Sequence, residues 1–315
     1  MVSMEIEQNR ILVTGGSGMV GASMKCVLPN AIYPTRKQLN LLSEDSVDSY
    51  IESGNFKAVI HLAAKVGGVK ANSDFVGDFF DENIRMNTNV LRACAVHRVP
   101  KVISFLSTCV YPDNATYPLT EDQLHSGEPH SSNYGYAYAK RMMEVQSRSY
   151  RQQYGSNFIC AIPNNLYGEN DNFDLINGHV IPALMRRIWE AKLSGQTEVE
   201  VWGDGTPLRE FTYSKDIAKI LLFLLENYDS AKPINIGRTS ENTIKEVVRL
   251  LCEFLDYKGS IRWDTSKPSG QHRKPSNNKN LIELGWKESE YTKLRKGLKE
   301  TCKWFKINYP LHTRG

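Results

Sequence analysis

The stretch 11-ILVTGGSGMVG-21 decides the fold. Ile11, Leu12, Val13 and Thr14 are apolar or β-branched and run straight into a turn with glycines three apart, Gly15, Gly18 and Gly21. Each glycine has its own physical reason: Gly15 permits a tight turn, Gly18 lets backbone approach a diphosphate, and Gly21 lets a following helix pack closely on the strand. The helix N-terminus then favours the anion. A glycine-rich turn alone is common in loops. With a strand before it and a helix after it, the turn predicts a dinucleotide site.

Outward from the turn, the apolar runs "AVIHLAA", "KVISFLS" and "FICAIPNN" alternate with the helical patterns "NIRMNTNVLRACAVHR" and "AYAKRMMEVQSRSYRQQYG". Strands that are apolar throughout, rather than at every second position, are covered on both faces. The expected class is therefore α/β, a Rossmann-type doubly wound parallel sheet. Beyond about residue 166 the rhythm changes. "HVIPALMRRIWEAKL", "TIKEVVRLLCEFLDY" and "KLRKGLKETCKWF" read as amphipathic helices and "EVEVWGD" as a short strand, predicting a smaller α/β substrate-binding domain. "AKILLFLLEN" and "PINIG" are expected to return to the first domain. The division that follows is 1–166 with 211–237 for the dinucleotide domain, and 167–210 with 238–315 for the second. The polar stretch "KPSGQHRKPSNNKN" predicts a mobile loop.

Composition narrows the function classes. The 315 residues are 41% apolar, enough for a sizeable core. Thirty-nine Lys and Arg against 35 Asp and Glu leave a net charge of +4 with the signs interspersed, which argues against a nucleic-acid partner. Cys26, Cys94, Cys109, Cys160, Cys252 and Cys302 form no C-x-x-C pair and no Cys/His cluster at zinc spacing. No metal site is expected, and a reducing, cytoplasmic setting is. "MVSMEIEQNR" carries no apolar signal core, and no run is long enough to span a bilayer, so no membrane role is expected.

Cofactor choice turns on the end of the second strand. Readers of NAD place a carboxylate about 20 residues beyond the turn to grip the ribose hydroxyls, whereas "AIYPTRKQ" offers Thr35, Arg36 and Lys37 and no acid. Arg36 suits a 2′-phosphate and predicts NADP over NAD; as a solvated surface cation it would carry no such message.

"YGYAYAK" places Tyr136 and Lys140 four apart on one helix face. A phenol with pKa ~10 is a poor acid–base group at neutral pH, and an adjacent ammonium is expected to pull that pKa down. Tyr134 and Tyr138 lie close by and compete for the same reading. Ser107, at the carboxyl end of "KVISFLS", sharpens it, because α/β sheets bind ligands at that edge.

Glycine turn, Ser107 and Tyr-x-x-x-Lys, in this order and spacing, resemble the extended short-chain dehydrogenase/reductase family, whose turn has the same G-x-x-G-x-x-G spacing. The resemblance runs along nearly the whole chain. In that family the residue two beyond the serine separates chemistries: the 4,6-dehydratases carry an acid near it and the 4-epimerases a small neutral residue. This chain has Cys109, in "STCVYP". With "PNNLYGENDNF", "NGHVIPALMRR", "VWGDGTPLREF" and "KPSGQHRK", it is similar to the GDP-4-keto-6-deoxy-D-mannose 3,5-epimerase/4-reductases.

The resemblance implies NADPH-dependent conversion of GDP-4-keto-6-deoxy-D-mannose to GDP-L-fucose. A 4-keto group acidifies the hydrogens at C3 and C5, so a base can remove one and an acid can return it to the other face. The resemblance assigns these roles to Cys109 and His179, and gives Ser107, Tyr136 and Lys140 the enolate oxygen and the later reduction. Read without it, Cys109 is a small buried filler and His179 a helix cap. Beside the three glycines and Arg36, the resemblance puts Ser17, Met19, Val20, Ala63, Lys140, Pro163, Asn164, Asn165, Leu166 and His179 against the cofactor.

It also puts Arg187, Trp202 and Arg209 against the GDP-sugar, bidentate arginine being suited to phosphate. If the helix already includes position 179, a seven-residue step puts Arg186 rather than Arg187 below His179, so periodicity does not choose between them; the resemblance chooses Arg187. Asn277 stands where some relatives carry a substrate-contacting acid. A homodimer through the helix bearing Tyr136 and the one before it is a further implication. Two alternatives stand beside this reading: another NAD(P)-linked sugar-nucleotide epimerase or reductase, and a catalytically silent NADP-binding regulator on the same fold. The intact Ser107, Cys109, Tyr136 and Lys140 set argues against silence.

Overall fold

The structure, a computed structural model, describes residues 7–266, 272–311 and 313. The first strand, β1 (Ile11–Thr14), leads through the glycine turn into α1 (Met19–Val27). Then come α2 (Glu44–Gly54), β2 (Ala58–His61), α3 (Val69–Asp74), α4 (Val76–Val96), β3 (Lys101–Phe105), α5 (Tyr134–Tyr154), β4 (Asn157–Pro163) and β5 (Asn165–Tyr167). They are followed by α6 (Val180–Leu193), β6 (Glu198–Trp202), β7 (Leu208–Tyr213), α7 (Ser214–Asn227), β8 (Ile234–Ile236) and β9 (Glu241–Thr243). The chain closes with α8 (Ile244–Leu255), β10 (Ser260–Asp264), α9 (Lys279–Glu283) and α10 (Leu294–Asn308).

The main sheet runs β1-β2-β3-β4-β8, all parallel. Its inner strands are buried almost end to end, as their unbroken apolar sequences require. The second strand expected at "AIYPTRKQ" is reduced to a single parallel bridge, Leu12 to Ile32, on the other side of β1. The chain therefore steps to one side of β1 at Ile32 and to the other at β2. That reversal opens a crevice at the carboxyl ends of β1 and β2, where α/β sheets take ligands.

Helices cover both faces. Met24 of α1 with Ile217, Ile220, Leu221 and Leu224 of α7 form one core; Val47 and Ile51 of α2, Val90 and Leu91 of α4 and Met143 of α5 form the other. A third core joins α6, α8 and α10 through Ile181, Met185, Val247, Leu251, Leu298 and Phe305. Two small sheets, β6 with β10 and β5-β7-β9, frame this second unit. Local signals set its ends: Thr243 caps α8 by accepting the Glu246 amide at 3.1 Å, and Asp256 closes it in the left-handed region.

Two details depart from the sequence division. Phe211 and Tyr213 belong to the third core, so the return to the main sheet starts with α7. Leu281, Trp286 and Tyr291, within 238–315, pack into the first core beside α7, so the chain crosses back a second time. Amphipathic periodicity shows that a segment has an apolar face but not which core receives it. The expected mobile loop, 267–280, lies partly outside the described residues, at 267–271; within its described part, Leu119 bridges Ser276 in parallel.

Candidate active site

The glycine turn is shaped by close backbone approach. Gly15 has φ +74°, and a Cβ there would lie 2.8 Å from the Ala63 nitrogen; one on Gly21 would lie 2.2 Å from the Gly15 carbonyl oxygen. Gly18 donates to that same oxygen at 2.9 Å and precedes α1 without a side-chain cap, so the first amides of the helix remain available to an anion. Tyr33 abuts Gly16 and sets the neighbouring segment against the turn. Arg36 follows, exposed and without a protein partner among the described residues. A cradle that excludes side chains, open helix amides and a free cation at its rim fit a phosphorylated dinucleotide.

The remaining expected cofactor residues border the same edge. Ser17 is exposed on the turn, Met19 and Val20 form the first turn of α1, and Ala63 follows β2. Pro163 ends β4, with Leu166 half-buried nearby. Asn164 has its side chain committed inside the protein: its Nδ2 donates to Glu210 Oε2 at 3.2 Å and the Arg238 carbonyl at 2.9 Å, while its Oδ1 accepts from the Thr212 hydroxyl at 2.7 Å. Its backbone amide is also taken, donating to the Ile236 carbonyl at 3.3 Å. Asn165 is exposed, with Nδ2 on the Glu210 carbonyl at 3.0 Å.

The reactive groups gather at the end of β3. Ser107 caps the short turn Thr108–Val110, its Oγ accepting the Cys109 amide at 3.3 Å, and it hydrogen-bonds with the Tyr136 hydroxyl. The turn leaves Cys109 partly exposed rather than as a buried filler. Lys140 is buried below, its Nζ donating to the Phe105 carbonyl at 2.7 Å. Burial pulls the Lys140 ammonium down to about 7.

The expected pull of Lys140 on the Tyr136 phenol is absent. Burial pushes that hydroxyl up, nearby Cys109 adds to the rise, and the Ser107 hydrogen bond opposes it. Helical spacing puts Tyr136 and Lys140 on one face, but the lysine tip is spent on a strand carbonyl and desolvation dominates. Tyr136 is thus held protonated, as a proton donor must be. Tyr134 and Tyr138 pair with each other edge-to-face instead, at 4.8 Å.

His179 is the residue preceding α6, but its exposed side chain makes no capping hydrogen bond. The segment leading to it is tied to the loop after β2 by the Gly68 amide, which donates to the Asn177 carbonyl at 2.7 Å. That loop is held in turn by Asn83, a residue the sequence did not single out. Its Oδ1 accepts the Lys65 amide at 2.9 Å and its Nδ2 donates to the Lys65 and Phe79 carbonyls at 3.0 and 2.7 Å. Phe79 lies edge-on against the Tyr136 ring, centroids 6.5 Å apart.

In the second unit, Arg186 is committed to Glu190 at 2.9 Å and the Phe173 carbonyl at 3.3 Å. Among the described residues Arg187 donates only to the Glu200 carbonyl, at 3.1 Å, and it lines an open pocket of about 430 Å³ with Trp202, Glu198, Glu200 and Arg262. Trp202 is 56% exposed there. Arg209 lies outside that lining, half-buried and donating to the Leu208 and His272 carbonyls at 2.7 and 3.4 Å. Asn277 spends its Oδ1 on the Lys279 amide at 2.8 Å, at the start of α9. Glu210, also unforeseen, is buried beneath this region and accepts the Ser276 amide at 2.9 Å; burial raises its carboxyl.

Comparisons with known proteins bear on the fold and the family. Residues 11–237 match the family described as "NAD dependent epimerase/dehydratase family". A GDP-L-fucose synthase of Dictyostelium discoideum is 41% identical, over 95% of this chain and 96% of that protein. GDP-L-fucose synthase 1 of Arabidopsis thaliana is 38% identical, over 97% of this chain and 96% of its own. A crystal structure of a GDP-L-fucose synthetase from Naegleria fowleri bound to NADP superposes with a TM-score of 0.90 at 37% identity, covering 97% of this chain and 96% of that one. The expected resemblance thus holds for the fold and along nearly the full length: the chain belongs to the NAD dependent epimerase/dehydratase family, in its GDP-L-fucose synthase branch.

Proposed function

We propose that this protein epimerises GDP-4-keto-6-deoxy-D-mannose at C3 and C5 and reduces it at C4 to GDP-L-fucose, with NADPH. The observation that carries the reading is the cluster of partly exposed Cys109, Ser107, protonated Tyr136 and buried Lys140 at the open edge of the sheet, beside a turn shaped for a dinucleotide. A sensor needs the turn but not the proton-transfer groups.

Gly15, Gly18, Gly21, the first amides of α1 and Arg36 would hold NADPH, which when bound supplies the hydride for the 4-keto carbon. Cys109 and His179 divide removal and return of the protons at C3 and C5. Ser107 and Tyr136 donate hydrogen bonds to the oxygen at C4, stabilising the enolate while those protons are exchanged. Tyr136 then gives its proton to that oxygen as the alcohol forms, from a hydroxyl that burial keeps protonated at neutral pH. Arg187 and Trp202 would hold the GDP portion at the pocket between α6 and β6.

The quaternary and cellular settings are part of the same proposal. Phe80 of α4 and Tyr134 of α5 are large exposed side chains at the adjoining starts of the two helices, where Gly135 lies against the Val76 carbonyl. That apolar patch supports a homodimer through α4 and α5. The six cysteines are all free, which supports a reducing cytoplasm. No helix among the described residues is long and apolar enough to cross a membrane. Incubation with GDP-4-keto-6-deoxy-D-mannose and NADPH tests the function: GDP-L-fucose should appear with stoichiometric loss of NADPH, and an unchanged sugar, or one reduced without inversion, would refute it.

A further inference from the structure

His61, the last residue of β2, is fully buried and has no part in the chemistry above, yet the way it is held joins the two halves of the site. Asn87 of α4 donates its Nδ2 to the Ala139 carbonyl of α5 at 3.3 Å, which fixes the orientation of the amide: its oxygen faces His61 Nε2, at 3.0 Å. Nε2 must therefore carry the ring proton. Nδ1 is left as an acceptor, filled by the Thr14 hydroxyl at 2.8 Å. Thr14 Oγ1 in turn accepts the Ala63 amide at 3.3 Å. That amide nitrogen is the atom a Cβ on Gly15 would strike.

The chain from Ala63 through Thr14, His61 and Asn87 to Ala139 thus has one consistent assignment of donors and acceptors. One end lies against the glycine turn. The other is the residue immediately before Lys140. We propose that His61, as its Nε2–H tautomer, is a positioning residue that clamps the Gly15–Ala63 floor of the dinucleotide site to the helix carrying Tyr136 and Lys140. The ring never touches the reactants; it keeps the binding turn and the proton-donating helix in one register. Burial, reinforced by the Lys140 ammonium, holds its pKa at about 3, so the ring stays neutral through the working range. A charged imidazole would have to reverse the Thr14 bond, leaving the hydroxyl proton to find another acceptor, and would face that ammonium.

The proposal rests on the dinucleotide reading of the glycine turn, and two measurements separate their failures. In ¹⁵N spectra of the protein without ligand, His61 should show a protonated Nε2 and an unprotonated Nδ1, unchanged between about pH 5 and 8. The opposite tautomer, or a titration in that range, overturns the clamp. The second measurement is a double-mutant cycle on the NADPH dissociation constant with Thr14→Val and Asn87→Leu, whose side chains are linked in this chain of bonds only through His61. Each single variant should weaken binding roughly tenfold, and the double variant little more than the worse single one. A double loss equal to the product of the singles, or no loss in either, shows that His61 is only a satisfied core histidine. Wild-type protein with no affinity for NADPH would sink the dinucleotide reading and this proposal together, whereas normal wild-type affinity with an additive cycle sinks the clamp alone.

Discussion

Removing the Tyr136 hydroxyl separates the two chemistries assigned to the site. In Tyr136→Phe the ring keeps its edge contact with Phe79, and Ser107 Oγ keeps the Cys109 amide at 3.3 Å, so no buried group is orphaned. The stability cost is that of one neutral hydrogen bond, about 0.5–1.5 kcal/mol. Reduction loses its proton donor. A positioned general acid contributes about 10²–10⁴-fold, equivalent to roughly 3–5 kcal/mol of transition-state stabilisation. Epimerisation loses less, because Ser107 still donates to the enolate oxygen; one missing hydrogen bond of about 1.4 kcal/mol slows enolate formation roughly tenfold. The assay follows NADPH oxidation by absorbance and, in the same reaction in D₂O, deuterium entry at C3 and C5 by mass spectrometry. Reduction should fall at least tenfold further than exchange. Equal losses in the two, or reduction at the wild-type rate, would show that another group donates the proton.

Three further substitutions probe other parts of the account. Burial holds Lys140 at about 7 in the fold, against 10.5 for an unperturbed lysine, so between those values the unfolded chain binds the extra proton and stability rises with pH. Lys140→Met removes that dependence. Its stability relative to wild type should be greatest at pH 7 and below and should shrink by up to about 1.4 kcal/mol per pH unit above 7, offset throughout by about 1–3 kcal/mol for the orphaned Phe105 carbonyl. Urea midpoints from pH 6 to 9 check this, and a constant difference would contradict it. Arg36→Ala should reduce the preference for NADPH over NADH by roughly tenfold or more, read as the ratio of kcat/KM values, while wild type using both equally would remove the 2′-phosphate argument. Gly21→Ala places a methyl 2.2 Å from the Gly15 carbonyl and should abolish NADPH binding while costing about 1–3 kcal/mol in thermal unfolding; retained binding would mean the turn can open.

What was legible in the sequence was what local geometry dictates. Gly15 and Gly21 announce themselves because backbone contacts forbid a side chain, and Tyr136, Lys140 and Ser107 because a helix turn and a strand end fix where they stand. The parallel sheet followed from strands too apolar to have a wet face. The rest depends on partners brought together from far along the chain. His61 meets Asn87 from 26 residues away and Thr14 from 47, and Glu210 meets Ser276 from 66. No periodicity carries such pairings. The Tyr136 acidity is not legible for a related reason: four-residue spacing shows the approach to Lys140 but not that its nitrogen is spent on the Phe105 carbonyl or that burial dominates. Periodicity does not choose between Arg186 and Arg187 and only the resemblance points to Arg187; in the fold the Glu190 ion pair occupies Arg186.

The central claim is that Cys109 and His179 invert C3 and C5 while Tyr136 serves reduction, and solvent deuterium incorporation into the keto sugar by Cys109→Ala tests it most directly. The variant should still bind NADPH, because the glycine turn and Arg36 are untouched. It should lose most deuterium entry at C3 and C5, and any residual hydride transfer should give an unepimerised 6-deoxyhexose. His179→Gln, run alongside, should exchange without inverting. Wild-type exchange by Cys109→Ala, with GDP-L-fucose still produced, would make the thiol a packing residue and contradict the account.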